Sequence, residues 1–198
     1  MSFIRATMHC TGTRPLLFNV FSVEDLSTTR KSKSGSAGNS HDEWRTKYRI
    51  TKDRQFYLTP DCAFGCLKAA AAYTKIGKGN ISKKLAATLQ VFSDKILIDR
   101  YLPGEWDNLS TDKIPTSTLE DVYLDIRGVM NPNTKGRNVR YRVSCKPGWQ
   151  TSIDIGWDDS IISKEQIKSV VTDAGVLIGL GDGRAIGLGR FDAEIDFD

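Results

Sequence analysis

Gly179, Gly181, Gly183, Gly187 and Gly189 fall within a dozen residues of one another, in the stretch Val176-Leu-Ile-Gly-Leu-Gly-Asp-Gly-Arg-Ala-Ile-Gly-Leu-Gly-Arg-Phe191. Glycine has no Cβ, so it takes positive φ without strain and lets another backbone come close. Clustered between a helix and a strand, such residues are there for geometry. Two uses suit them. The loop is either a tight connection packed over a sheet, or a set of exposed N–H groups that, with Arg184 and Arg190 beside them, face a phosphate backbone.

Both flanks of the loop are regular. Upstream, Ser163-Lys-Glu-Gln166 has capping-box spacing and opens a helix with Ile167, Val170, Val171 and Ala174 on one face, ended by Gly175. Downstream, the alternation of Phe191, Ala193, Ile195 and Phe197 predicts a last strand. Near the start, Ser2 to His9 reads as a first strand, and the apolar run Pro15 to Phe21 tucks into the core. Leu26 to Asp42 is basic, low in complexity and without large apolar residues apart from Leu26, which predicts a mobile loop. Trp44–Ile50 and Gln55–Leu58 flank Thr-Lys-Asp-Arg and suit a hairpin.

Thr59-Pro-Asp then opens an alanine-rich helix through Tyr73, with Phe64, Leu67, Ala70, Ala71 and Thr74 on its apolar face. A glycine–lysine loop (75–84), a short helix (85–89) and short strands at Val91-Phe92 and Ile96–Ile98 follow, and Tyr101 to Thr118 is an irregular excursion carrying Trp106. Three strands come next. Val122, Leu124 and Ile126 face one way. In Asn138–Cys145, Val139, Tyr141, Val143 and Cys145 point inward and Arg140 and Arg142 outward. Thr151–Trp157 alternates again. Without the insertions, at about 26–43 and 101–118, the order is strand, helix, strand, strand, helix, strand. That order predicts a single α+β domain of the ferredoxin-like or RRM-like kind: an antiparallel sheet with two helices on one face, long loop insertions and the C-terminal glycine-rich loop.

The glycine pattern excludes two nucleotide motifs. A dinucleotide fingerprint needs a strand before the glycines and a helix after them, and here the order is reversed. A Walker-type loop needs Gly-Lys-Ser/Thr, which is absent. An apolar residue, Gly-x-Gly, a variable run, then Gly-x-Gly and an aromatic strand (Leu177-Ile-Gly-Leu-Gly and Gly187-Leu-Gly-Arg-Phe191) resembles the glycine-rich loop of the RAMP superfamily, ferredoxin-like proteins that bind RNA in CRISPR effector complexes. The resemblance is good from Glu120 to Phe197, looser over the first strand and helix, and nearest to the repeating backbone subunit. Val122-Tyr-Leu-Asp-Ile-Arg, a basic turn and the terminal Gly–Arg–Phe strand also resemble small phage and prophage proteins of this kind.

The resemblance implies RNA binding by copies set head to tail, in a homo-oligomer that can be helical, with the insertions touching the neighbouring copy. Family members that cut RNA use a histidine for acid–base work or an aspartate after the first strand. His9 and His41 are the two histidines and Asp25 lies roughly at the aspartate position, but no motif surrounds any of them, and no catalysis is expected. A RAMP-like endoribonuclease is the first alternative. The second is a phage interaction or inhibitor module on the same fold.

Basic residues gather in four groups: Arg30, Lys31 and Lys33; Lys75, Lys78, Lys83 and Lys84; Arg137, Arg140 and Arg142, with Lys135; and Arg184 and Arg190 beside Gly181 and Gly183. Interleaved with Trp44, Tyr48, Tyr141 and Trp149, they suit a single strand of RNA or DNA, cations on phosphates and rings on unpaired bases. The net charge of +4 is too modest to argue this by itself, and the acids Asp192, Glu194, Asp196 and Asp198 crowd the last strand. Cys10, Cys62, Cys66 and Cys145 form no CxxC pair, so reduced thiols are expected, with no metal and no cofactor. No apolar run nears the roughly 18 residues of a membrane span, and the N-terminus lacks a signal-peptide core, which predicts a protein of the bacterial cytoplasm.

Overall fold

The computed structural model describes residues 3–21, 41–130 and 135–198. Its central sheet has the order β11-β1-β10-β6 and is antiparallel throughout, built from β1 (Phe3–Gly12), β6 (Gln90–Val91), β10 (Gln150–Asp158) and β11 (Phe191–Phe197). Helix α1 (Pro60–Ala70) lies between β1 and β6 in the chain, and α3 (Lys164–Asp173) lies between β10 and β11. Each helix therefore links two parallel strands that have a third strand between them, the split βαβ arrangement. The expected α+β class is the observed one.

Alternation explains the layering. Ala6, Met8 and Cys10 of β1 and Ile153, Ile155 and Trp157 of β10 are buried, together with Leu67 and Ala70 of α1 and Ile167, Val170 and Val171 of α3. These side chains form one core, because successive strand residues point to opposite faces and helix residues three and four apart share one. The box at Ser163 is formed: its Oγ accepts from the Gln166 N–H and the Gln166 side chain accepts from the Ser163 N–H. Ser163→Ala should cost about 1 kcal/mol. In a chain of this size that lowers the unfolding midpoint by about 2–4 °C, readable by circular dichroism. An unmoved midpoint would show that the cap does not hold the helix.

Around this unit lie β2 (Leu16–Leu17), β3 (Gln55–Leu58), the small hairpin β4 (Lys75–Ile76) and β5 (Gly79–Asn80), helix α2 (Ser82–Thr88), β7 (Ile96–Tyr101), β8 (Val122–Met130) and β9 (Arg137–Cys145). The second sheet runs β2-β9-β8. Several local expectations change. The turn at Thr51–Arg54 forms, and Ile50 bridges to Phe56 with Arg49 accepting from the Tyr57 N–H, but the expected hairpin is short: Glu43–Thr46 is a 3-10 turn, and β3 takes β7 as its main partner. A buried Trp44 packed on Trp106 draws the first arm of the hairpin into that turn. The segment 101–118 is no excursion: Leu102, Trp106 and Ile114 are in the core. Arg54 ties it down, donating to the carbonyls of Leu102 and Pro103 and to both oxygens of Asp107. That guanidinium holds the Asp107 carboxyl below the usual carboxylate range.

The last helix also runs on past Gly175. Ala174–Ile178 is a π turn, and the helix stops at Gly179, whose φ is 84°. Gly175 is there for a close approach: a Cβ on it would overlap the Phe191 carbonyl oxygen. Val122, Leu124 and Ile126 face one way, as expected, but only the first two are buried, and Ile126 is 45% exposed.

Candidate nucleic-acid interface

The glycine loop joins the two sheets. Gly181 has a φ of 71°, and an added Cβ would lie 2.5 Å from the Leu17 carbonyl oxygen of β2. Most of its amides are spent inside the protein: Leu180 on Gly189, Asp182 on Leu17, Gly189 on Pro15, and Ile186 and Leu188 on Gly183. The packed connection is thus the main use of the loop, since a donor already satisfied by a carbonyl is not on offer to a phosphate. Its exposed part is Arg184-Ala185-Ile186; Gly183, Arg184 and Ala185 line a hollow with Leu177 and Asp182. Arg184 is exposed there, whereas Arg190 is partly buried and its backbone carbonyl accepts from Thr13 and Arg14.

Asp182 connects this loop to β9. Its Oδ2 lies 2.7 Å from Arg142 Nε, a charge contact that is not aligned as a hydrogen bond. Arg140 donates to Glu43 Oε1 at 3.3 Å, and Lys47 Nζ is 3.9 Å from the same oxygen. Arg140 and Arg142 do share one face of β9, as β-strand geometry requires, but both meet carboxylates. The expectation that they stand exposed together is corrected: the Arg142 side chain is 14% exposed and that of Arg140 is 39%. Alternation tells which face a residue takes; it does not tell what the fold lays across that face.

Between β9, the 3-10 turn and the end of the β2 segment is a groove of about 460 Å³, lined by Asn19, Phe21, Glu43, Lys47, Val129, Arg140 and Arg142. Phe21, expected in the core, is 67% exposed here, while Phe18 takes the core position. Of the four aromatics expected to stack on bases, Trp44 and Trp149 are fully buried, and Tyr48 stacks on Trp44. Tyr141 is half-buried, with the His41 ring 5.1 Å away. Phe21 and Lys47 were missed in the sequence reading, although Lys47 sits among aromatics in Trp44-Arg-Thr-Lys-Tyr48, the interleaving that nucleic-acid surfaces use.

The other groups lie apart. Lys75 and Lys78 are exposed on the β4–β5 hairpin, and Lys83 and Lys84 on α2, which packs on α1 and β10. Arg137 is exposed near the tip of β9. Arg30, Lys31, Lys33 and Asp25 lie outside the described residues.

The open face of the central sheet, where RRM-type modules hold single strands, has the wrong sign. Asp154 of β10 and Asp192, Glu194 and Asp196 of β11 are exposed on it. His9 stands among them, its Nδ1 2.9 Å from Ser152 Oγ and its Nε2 3.3 Å from Asp196 Oδ2. A cleft of about 680 Å³ opens beside it, bounded by Lys95, Asp99 and Gln150. All four cysteines are free thiols. Burial pushes Cys66 up to about 12 and raises Cys10, Cys62 and Cys145 as well, so none is an activated nucleophile. Among the described residues no group of three or more His, Cys, Asp or Glu side chains converges as metal ligands would, and no helix is long and apolar enough to cross a membrane.

No protein-family model matches this chain, and no curated protein matches it in sequence. Among solved structures, 98% of it is similar to a chain of the Type III-B Cmr-beta complex bound to cognate target RNA, with a TM-score of 0.56 and 11% identity. The chain spans 60% of that neighbour's length. A chain of a Type IV-B CRISPR complex aligns over 98% of this chain and 90% of its own, with a TM-score of 0.49 and 14% identity. At such identities the first likeness shows the fold.

Proposed function

We propose that this chain binds single-stranded nucleic acid, RNA before DNA, with little regard to sequence, as one of several copies set head to tail along the strand. The observation that carries the proposal is the groove on β9, lined by an exposed Phe21 and the half-exposed Arg140, with the largely buried Arg142 and Lys47 adding positive charge beneath them. Cations neutralise phosphates and a free aromatic face stacks on any base, a combination that tolerates sequence. The fold likeness to a chain from a complex bound to cognate target RNA supports RNA as the ligand, and the RAMP-like loop supports membership in a multi-subunit assembly of a bacterial or phage-infected cytoplasm. In this reading Arg30, Lys31 and Lys33 of the basic segment, and the exposed Arg184 beside Gly183, add further phosphate contacts.

No cutting step belongs to the proposal. Of the two histidines a ribonuclease could use as base, His9 has Asp154, Glu194 and Asp196 around it, which repel phosphate, and His41 lies against Tyr141. The test is anisotropy of a labelled single-stranded RNA over a salt series. Affinity should fall as salt rises, with a log–log slope of about −0.7 for each phosphate contact. Arg140→Glu should weaken binding and flatten the slope by about one such contact. Loss of the RNA itself during incubation would favour the ribonuclease. An Arg140→Glu slope equal to that of the unaltered chain would place the strand elsewhere.

A further inference from the structure

We propose that the outer part of the β8–β9 arm docks on the open face of the central sheet of a second copy of this chain; this rests on the head-to-tail reading and gives it its two surfaces. β8 and β9 stay paired out to Met130 and Arg137, but only the root of the arm is built into the core, through Val122, Leu124, Val143 and Cys145. Ile126, Met130 and Arg137 lie on the same side as those root residues, because Ile126 pairs with Tyr141 and Met130 with Arg137. Past the root, that side emerges into solvent: Ile126 is 45% and Met130 61% exposed, with Arg137 and Lys135 exposed around them. A two-stranded ribbon gains little stability alone and needs something against its apolar face. The opposite side of the arm carries Arg140 and Arg142 and is occupied by the groove.

Charge selects the occupant. The arm presents two cations beside apolar side chains. The open sheet face presents the carboxylates of Asp154, Asp192, Glu194 and Asp196, with the Phe3 ring exposed on the same face of β1. Arg5, the one cation of that face on the described strands, is stacked on Phe92 at 4.4 Å. The face that repels RNA therefore attracts the arm. Because the two surfaces differ, each copy keeps one of each free after pairing, and the contact propagates along a row. It would leave the arm's groove side facing the strand.

Light scattering on the full chain decides. Glu194→Lys with Asp196→Lys reverses one surface, and Lys135→Glu with Arg137→Glu reverses the other; all four residues are exposed and none lines the groove. The unaltered chain should form masses of several protomers, more so with a long single strand. Each reversed chain alone should stay near the 22.0 kDa of one protomer. An equimolar mixture of the two should give pairs, since one intact surface of each kind remains between them, and a chain carrying all four changes should regain rows. If the reversed chains assemble as well as the unaltered one, the surfaces are wrong while head-to-tail assembly stands. If the arm variant assembles normally but loses RNA, that side of the arm belongs to the strand, and the docking proposal is overturned. An unaltered chain that stays at one protomer with and without RNA removes the assembly itself.

Discussion

Gly181→Val should lower the unfolding midpoint far more than Gly187→Val, although both glycines sit at positive φ. At Gly181 (φ 71°) the new side chain meets the Leu17 carbonyl oxygen at 2.5 Å and the Leu16 side chain at 2.8 Å. At Gly187 (φ 80°) nothing lies within 4 Å of a Cβ. Left-handed backbone costs an L residue about 1–2 kcal/mol, and forcing a group into a packed contact adds about 1–3 kcal/mol. Gly181→Val thus loses about 2–5 kcal/mol against about 1–2 for Gly187→Val. The midpoints should fall by roughly 4–20 °C and by about 2–8 °C respectively. Thermal unfolding of the two variants side by side is the measurement. Equal losses would mean that the contact with β2 is not what fixes the loop. A Gly187→Val chain that keeps its midpoint but loses RNA would instead put the ligand on the outer turn.

Trp106→Ala should be as damaging, which makes it the direct test of whether 101–118 is an appendage. The ring is buried and stands edge-on to Trp44 with centroids 5.8 Å apart. Trp44 Nε1 in turn donates to Thr111 Oγ1, and Arg45 donates to the carbonyls of Trp106 and Leu109. Removing a buried tryptophan costs about 3–5 kcal/mol, because the cavity only partly collapses. That corresponds to a fall in midpoint of roughly 6–20 °C in a chain of this length, with loss of near-ultraviolet dichroism from the tryptophan pair. A loss under about 1 kcal/mol would mean the segment is held from outside the core. Since 101–118 is anchored this firmly, it is a poor candidate for reaching across to a neighbour. The assembly proposal therefore rests on the β8–β9 arm, an element that the sequence reading treated as an ordinary pair of strands.

Cations on β9 illustrate a further balance. Lys47, Arg140 and Arg142 share the groove with Glu43, and Arg142 also meets Asp182. A phosphate entering there competes with carboxylates already present, so the net gain per contact is small and salt-sensitive. This suits a surface that holds a long strand through many weak contacts.

Local rules determined much of this protein from the sequence. The box at Ser163, the buried stripe Ile167, Val170, Val171 and Ala174, the alternation of Thr151 to Trp157, and the final strand from Phe191 all depend on residues within a few positions of each other. The order of strands and helices followed, and with it the α+β class. The site did not follow. Whether Arg142 faces solvent or Asp182 depends on a residue 40 positions away, and whether Trp106 hangs free or packs on Trp44 depends on one 62 positions away. The same holds for the amides of Asp182 and Gly189, which the distant carbonyls of Leu17 and Pro15 take up. Sequence periodicity fixes the direction in which a side chain leaves the backbone, and so showed the acids of the last strand on one face; the charge or ring a side chain meets there is set by tertiary contacts between distant segments, and those set Asp154 beside that strand's acids and Glu43 and Asp182 against the arginines of β9.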